Sequence, residues 1–463
     1  MAAEEGAMAE SNSEDQKPGE DRISNLPDDL LLYILSFVQS KTSVQTSILS
    51  SRWRHFWKRL YVLKLSDDSF EFNDNFTPSN SKLFQDYLTL VNFSKDSFEF
   101  NDNFIQFNSR FKEEISRLHL SIDSFEFANF IKFYSERFKH FRRFFYFVNS
   151  LIYVLRPYNV EKMRLSCTKS LTKNKMCTAS IDAWIHSAMG PLLKELDITL
   201  YNLDNYCFEL SENLSKCFNL VSLSLKGSLR LDRQPPKSFC LPSLKKLELD
   251  ICAINVPSFN GFLHGCPCLE TLDLCWYDED YETFYVPPLC LPSSLKTLKI
   301  VLKYLSHLGF TRLPKQLLGG EVTHTHFYCS TFDNLLYLNL NLLWFNSDSI
   351  MSLLQECRSL EVLIIQNDSE VFNDKEEQSS SPKWAAQLSL PSCLESHLKF
   401  IQFKGYRGFT DEFYFVEYIL QNGCVLKSMI IVDISTDLKK MVDTLHRLFD
   451  IPKASRMCQL TYI

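Results

Sequence analysis

The residues best equipped for chemistry in this chain are its histidines and cysteines, and two clusters bring them close enough to consider a metal. His264-x-Cys266-x-Cys268 and His324-x-His326 with Cys329 come nearest to a ligand set. Neither has the paired Cys-x-x-Cys spacing that closes a tetrahedral zinc site. Cys266 and Cys268 also stand where a repeating apolar unit begins, so core packing is the simpler use. Covalent and phosphoryl chemistry fare no better. The sequence has no Gly-x-Ser-x-Gly elbow, no Gly-x-x-x-x-Gly-Lys-Ser/Thr loop and no His-Glu-x-x-His helix. The basic aromatic run Arg137 to Arg143 suits a solvated helix face better than a nucleic-acid site, because the chain carries a formal charge of −7. No catalytic, metal or cofactor-binding residue is therefore assigned, and neither nucleic acid nor membrane is expected as a partner. What remains is recognition.

The elements that would present a recognition surface follow from length and pattern. At 463 residues the chain is long for one hydrophobic core, so several domains or a repeat array are expected. Residues 1–20 are acidic and rich in Ala, Glu and Ser; they read as a disordered leader without the basic start and apolar stretch of a signal peptide. Fifteen cysteines without framework spacing read as reduced, mostly buried thiols. The expected location is therefore intracellular, in the nucleus and/or cytoplasm. The longest apolar run, Phe144 to Leu155, is too short to span a bilayer and reads as core.

Beyond residue 157 one unit recurs: apolar-x-x-apolar-x-apolar. It occurs at Val160-Met163-Leu165, Leu193-Leu196-Ile198, Leu220-Leu223-Leu225, Leu244-Leu247-Leu249 and Leu269-Leu272-Leu274. It continues at Leu295-Leu298-Ile300, Leu335-Leu338-Leu340, Leu360-Leu363-Ile365, Leu398-Ile401-Phe403 and Leu426-Met429-Ile431. Most steps between units fall near the about 20–29 residues of leucine-rich repeats. The last two apolar positions alternate in a strand and point inward, and the first turns the chain into it. No single unit can bury its own apolar face, whereas stacked parallel strands share one core. Segments such as Ser258 to His264 and Asp348 to Cys357 have room for short convex helices.

Residues 66–157 form a different, Phe-rich and irregular zone. Asp-Ser-Phe-Glu-Phe-Asn-Asp-Asn-Phe occurs at 68–76 and again at 96–104, and its first five residues return at 123–127. Near-identity over that length points to duplication rather than a binding motif. About 70 residues ahead of Phe147 read as an insertion, which removes any expectation of fixed spacing across it.

Ahead of that zone lies a compact helical pattern. Pro27 suits the first position of a helix, and Asp28 and Asp29 favour the positive end of its dipole. Leu30, Leu31, Ile34, Leu35, Phe37 and Val38 cover more than one helical face. Val44, Ile48 and Leu49 suit a second short helix, and Ser50-Ser51 could cap a third beginning at Arg52-Trp53. Such a small unit has more apolar surface than it can bury internally. Something else should cover the rest.

These residues carry a resemblance. Asp21-Arg22-Ile23-Ser24-Asn25-Leu26-Pro27-Asp28-Asp29-Leu30-Leu31, with Ile34-Leu35-Ser36-Phe37, Leu49-Ser50-Ser51-Arg52-Trp53-Arg54 and Trp57, resembles an F-box. More narrowly, the chain is similar to the plant F-box/FBD/LRR group. Its tail has the matching order: Leu398-Lys399-Phe400, Gly405-Tyr406-Arg407-Gly408, the helix-like Phe415 to Asn422, the apolar Val425 to Val432 and a terminal Ala454 to Tyr462. The fold class this implies is α/β. A three-helix F-box (21–65) would be followed, after the 66–157 segment, by a leucine-rich-repeat solenoid (158–385) and an α+β FBD-type cap (386–463). The role it implies is non-catalytic: substrate recognition in an SCF-type (Skp–cullin–F-box) ubiquitin ligase. The F-box docks a Skp-family adaptor, and through it a cullin, while the distal region binds a target protein whose identity the sequence does not give. Carried over by position, Leu26, Pro27, Leu31, Ile34, Leu35, Leu49, Ser50, Arg52, Trp53 and Trp57 match the adaptor-binding pattern. The alternative is a repeat scaffold or ligand sensor working outside a ligase.

A target surface is expected on the strand residues that face away from the core: Arg164, Asp197, Ser224, Glu248, Asp250, Asp273, Lys299, Asn339 and Gln366. Its middle is acidic, which favours a basic or mixed-charge partner. Trp276 and Tyr277, read as part of an acidic aromatic loop to Tyr281, are a second candidate contact.

Overall fold

The computed structural model describes residues 23, 25–70, 139–155, 160–168, 175–201, 214, 217–231, 235, 238–278, 289–304, 332–342, 345–367, 389–434 and 438–463. The expected leader, most of the duplicated Phe-rich motif and the His324–Cys329 cluster lie outside them. Twelve parallel strands run side by side in chain order. They are β1 (Val62–Ser66), β2 (Lys162–Cys167), β3 (Glu195–Leu200), β4 (Ser222–Leu231), β5 (Lys246–Ile254) and β6 (Thr271–Asp278). The series continues with β7 (Thr297–Tyr304), β8 (Tyr337–Leu342), β9 (Val362–Asn367), β10 (Phe400–Tyr406), β11 (Ser428–Asp433) and β12 (Gln459–Tyr462). Every apolar position of the ten repeat units is buried. The stacked-core expectation is the architecture found.

Two strands extend the array beyond those ten units. Leu60-x-x-Leu63-x-Leu65 has the same spacing, is buried, and places β1 in register with β2 from Val62↔Lys162 to Ser66↔Ser166. At the other end β12 pairs with β11. Residues 71–138 therefore fall, in sequence, between two strands that are hydrogen-bonded neighbours. The chain does not pass through that zone to reach the array; the array begins before it. Nor is the zone irregular throughout, since α3 (Lys139–Leu155) buries Phe144, Val148 and Leu151. Trp184, on α4 (Lys175–Ala188), packs edge-on against Phe144 and donates its indole N–H to Asn149 (2.7 Å).

The helices on the core side start where the sequence can cap them. Asn255 accepts the Ser258 N–H ahead of α5 (Val256–His264), and Asn346 accepts the Ser349 N–H ahead of α6 (Ser347–Glu356). Each satisfies one of the four orphan donors at a helix start. The tail adds α7 (Ser392–Ser396), α8 (Thr410–Asn422) and α9 (Leu438–Phe449). Its strands do not form a separate sheet, because β10 pairs directly with β9.

The junction between array and tail is built on a buried carboxyl. Glu412, in the first turn of α8, accepts the backbone N–H groups of Arg407 (2.9 Å) and Phe409 (3.1 Å). Burial pushes its pKa up to about 7, against those hydrogen bonds, which favour the charged form. Gly405 makes the turn into this corner at φ 75°, and a Cβ there would overlap the Asn367 carbonyl oxygen. Gly405→Ala should therefore lower stability by at least about 1–3 kcal/mol, the cost of the left-handed backbone alone. Gly190→Ala, where nothing lies within 4 Å of the new Cβ, should leave the urea midpoint almost unmoved. Glu412 also gives a pH signature. Its raised folded pKa means that its contribution is full below the ordinary value of 4.5 and is lost as pH rises through about 7. Urea melts across that window should show the wild type losing stability relative to Glu412→Gln.

Candidate interaction surfaces

The N-terminal module is built from α1 (Asp28–Phe37), α2 (Ser40–Gln45) and two 3-10 turns, Thr46–Ile48 and Trp53–Arg59. Pro27 sits one position before α1 rather than in it, and Asp28 and Asp29 occupy the first turn. The third helix differs from expectation. It is 3-10, it starts at Trp53, and no side chain caps it, so Ser50-Ser51 are exposed turn residues.

Arg52 does the joining. Its guanidinium donates to the Leu26 carbonyl (2.6 Å) and to Asp28 (2.8 Å), and Arg59 reaches the same carboxylate at 3.3 Å. The Arg52 hydrogen bond is the main reason the Asp28 carboxyl is held below its usual range. One carboxylate thereby ties the start of α1 to the end of the module.

Burial divides the ten residues carried over from the resemblance. Leu31 (0% exposed), Leu35 (3%), Trp53 and Trp57 are core, and Trp57 donates its indole N–H to the Arg54 carbonyl (3.0 Å). In this fold these four support a docking surface rather than form one, because a fully covered side chain has no area left to offer a partner. Leu26 is half-buried, while Pro27, Ile34, Leu49, Ser50 and Arg52 are exposed. Ile34 and Leu49 (65% exposed) belong to a larger apolar set: Ile23, Leu30, Tyr33, Phe37 (61% exposed) and Ile48. Leu30, Tyr33, Ile34 and Phe37 form one stripe along α1, with the Tyr33 and Phe37 rings edge-on at 4.8 Å. The surplus apolar surface expected from the sequence is present, while four of the ten residues named for it are covered by the module itself. The i, i+3, i+4, i+7 spacing of Leu30, Tyr33, Ile34 and Phe37 was the available signal.

The module is fixed to the sheet. Ser40 accepts the β1 backbone N–H of Lys64 (2.9 Å), and the Lys64 ammonium donates to the carbonyl of Phe37, the last residue of α1 (2.9 Å). That places a cation at the negative end of the helix dipole. It also gives the outer edge of β1 a covering, which an unpaired strand needs.

On the sheet face away from the core, parallel register sets the predicted target residues in rows. Lys64, Arg164, Asp197, Ser224, Glu248, Asp273, Lys299 and Asn339 are successive partners in one row. Asp250 and Gln366 lie in the next. Arg164 pairs with Asp197 (2.7 Å), Lys299 with Asp273 (3.0 Å) and Lys226 with Glu248 (2.6 Å). The acidic middle is thus largely neutralised from within. Trp276 and Tyr277 are not in a loop: both belong to β6, paired with Leu302 and Lys303 of β7, and residues 279–281 lie outside the described set.

Metal chemistry gains nothing here. Among the described residues no group of three or more His, Cys, Asp and Glu could hold a metal ion. Cys266 is buried, donates to the Phe262 carbonyl (3.3 Å), and has its pKa pushed up to about 12 by burial. It is an inert core thiol.

Comparison with known proteins matches three modules in series. The F-box domain family model matches residues 23–65, the model for the LRR repeats of FBD-associated F-box protein At5g56370 matches 181–286, and the FBD model matches 387–431. Among Arabidopsis thaliana proteins, the putative FBD-associated F-box protein At5g56820 is 27% identical over 95% of this chain and 94% of its own length. F-box/FBD/LRR-repeat protein At4g26340 is 25% identical over 96% of this chain and 100% of its own.

The division of α1 into two faces can be checked by stability alone. Leu35→Ala should cost about 2–5 kcal/mol, as buried leucines do. Ile34→Ala, on the exposed face, should stay within about 0.5 kcal/mol of the parent. Chemical denaturation of the two variants distinguishes them.

Proposed function

The chain belongs to the F-box/FBD/LRR-repeat class, and on that footing we propose that its N-terminal module docks a Skp-family adaptor, and through it a cullin, while the repeat and FBD region holds a target protein. Membership itself carries the coarser role: a non-catalytic substrate adaptor of an SCF-type ubiquitin ligase. Such an adaptor works by raising the local concentration of its target beside a charged ubiquitin donor.

The observation that favours adaptor docking is the apolar stripe on α1 with Ile48 and Leu49. A module this small leaves seven large apolar side chains exposed (Ile23, Leu30, Tyr33, Ile34, Phe37, Ile48 and Leu49) while its own core is complete. Exposed apolar area concentrated on one small module marks an interface. An intracellular location, nucleus and/or cytoplasm, goes with the reading. It is supported by fifteen cysteines that follow no disulfide-framework spacing.

The test is co-purification of the full-length chain with a Skp-family adaptor. The parent should bind. Phe37→Asp/Leu49→Asp should lose binding by about a hundredfold or more, about 2.7 kcal/mol or more, without a change in thermal midpoint. A folded parent that retains target partners but binds no adaptor would instead favour a repeat scaffold working outside a ligase.

A further inference from the structure

The open face of the sheet changes character along its length. From β1 to β7 its rows carry charges that are mostly matched across strands, as in Lys162–Glu195 (2.6 Å) and Arg164–Asp197 (2.7 Å). From β8 to β11 most of these charges give way to apolar side chains, with Asn339, Gln366, Gln402 and Ser428 among them. Leu338, Leu340, Leu363, Ile365, Ile401 and Phe403 point into the core, so the alternating residues point out. Tyr337, Val362 and Phe400 are consecutive partners in the first outward row. Ile364 stands over Val362 in the second row, and Ile430 follows it one strand beyond Gln402. All five are half-exposed.

Two lysines border this patch. Lys427 precedes β11 at the entry side, and Lys404 lies towards the exit end of β10, paired with Val432. Among the described residues neither has a carboxylate within ion-pair distance, unlike Lys399, which is held by Glu361 (2.6 Å). A partner at the charged end must first break ion pairs that already satisfy each other. At the apolar end it displaces only water, and the ammonium groups of Lys404 and of Lys427, the latter in the field of Glu361, can meet a counter-charge.

We propose that the β8–β11 section is the target-contact centre, and that it takes an extended protein segment with aromatic or aliphatic side chains flanked by Asp or Glu. This rests on the target-holding role given above to the array. The apolar rows would supply the desolvated centre of the contact and the lysines its polar rim. The charged rows of β2–β7 then serve to space the strands and to repel unpaired charge, rather than to bind.

The test pans a random-peptide phage library on the full-length chain, with adaptor co-purification measured in parallel. Enriched peptides should be apolar with flanking acids. Ile364→Glu and the charge-only variant Lys404→Glu/Lys427→Glu should each weaken the selected peptides by about tenfold or more, and Arg164→Ala/Asp197→Ala should not. The charge-only variant leaves the apolar packing untouched, so loss there is not a folding defect. Basic peptides, peptides that depend on Arg164 or Asp197, or no enrichment over the Ile364→Glu chain would each overturn the proposal. Failure here with adaptor binding intact leaves the ligase role standing; failure of adaptor binding alone removes that role and spares the patch.

Discussion

A parallel strand whose one face is apolar has no way to bury that face by itself, and its backbone donors on each edge need a neighbour. Here both needs are met by the next repeat, in chain order, from β1 to β12. The ladder between β1 and β2 is the critical link. It joins residues about a hundred positions apart in the chain, Val62↔Lys162. With that ladder in place, Ser40 and Lys64 bind the N-terminal helices to the first strand, and the module becomes the end-piece of the array. The apolar stripe on α1 and the open face of the sheet are therefore parts of one packed body.

The far end is closed differently. β10 and β11 continue the sheet, but the chain must turn sharply between β10 and α8. Gly405 supplies the left-handed backbone, and Glu412 collects the amide groups of Arg407 and Phe409 that the turn leaves over. Asp411 holds the start of α6 through the Ser347 N–H (2.9 Å). These are polar groups buried for geometry, since a carboxyl out of water costs free energy unless its lone pairs are used.

Charge on the open face has a related logic. Partly exposed ion pairs add little stability. In neighbouring parallel strands, however, like charges would stand side by side, and the sequence places opposite signs there instead: Lys162 with Glu195, Arg164 with Asp197, Lys226 with Glu248, Lys299 with Asp273. The pairing that stabilises register also withdraws those side chains from recognition.

The repeat unit was legible in the sequence because one spacing served one physical purpose. Every apolar residue of Leu244-Leu247-Leu249 and its counterparts does the same job, and ten copies make the pattern plain. The F-box and tail were legible for the same reason, through Leu26-Pro27-Asp28-Asp29 and Gly405-Tyr406-Arg407-Gly408. What spacing could not assign was direction. On α1, Leu31 and Ile34 are equally apolar and equally well placed, and only the packing of Trp53, Phe56 and Trp57 decides that Leu31 is covered and Ile34 is not. Likewise Asp197 and Glu248 read as a free acidic surface until register brings Arg164 and Lys226 against them. Periodicity along a chain fixes which residues share an element and a side of it. Whether that side meets core, counter-charge or water depends on residues far away in sequence, and only the folded chain brings them together.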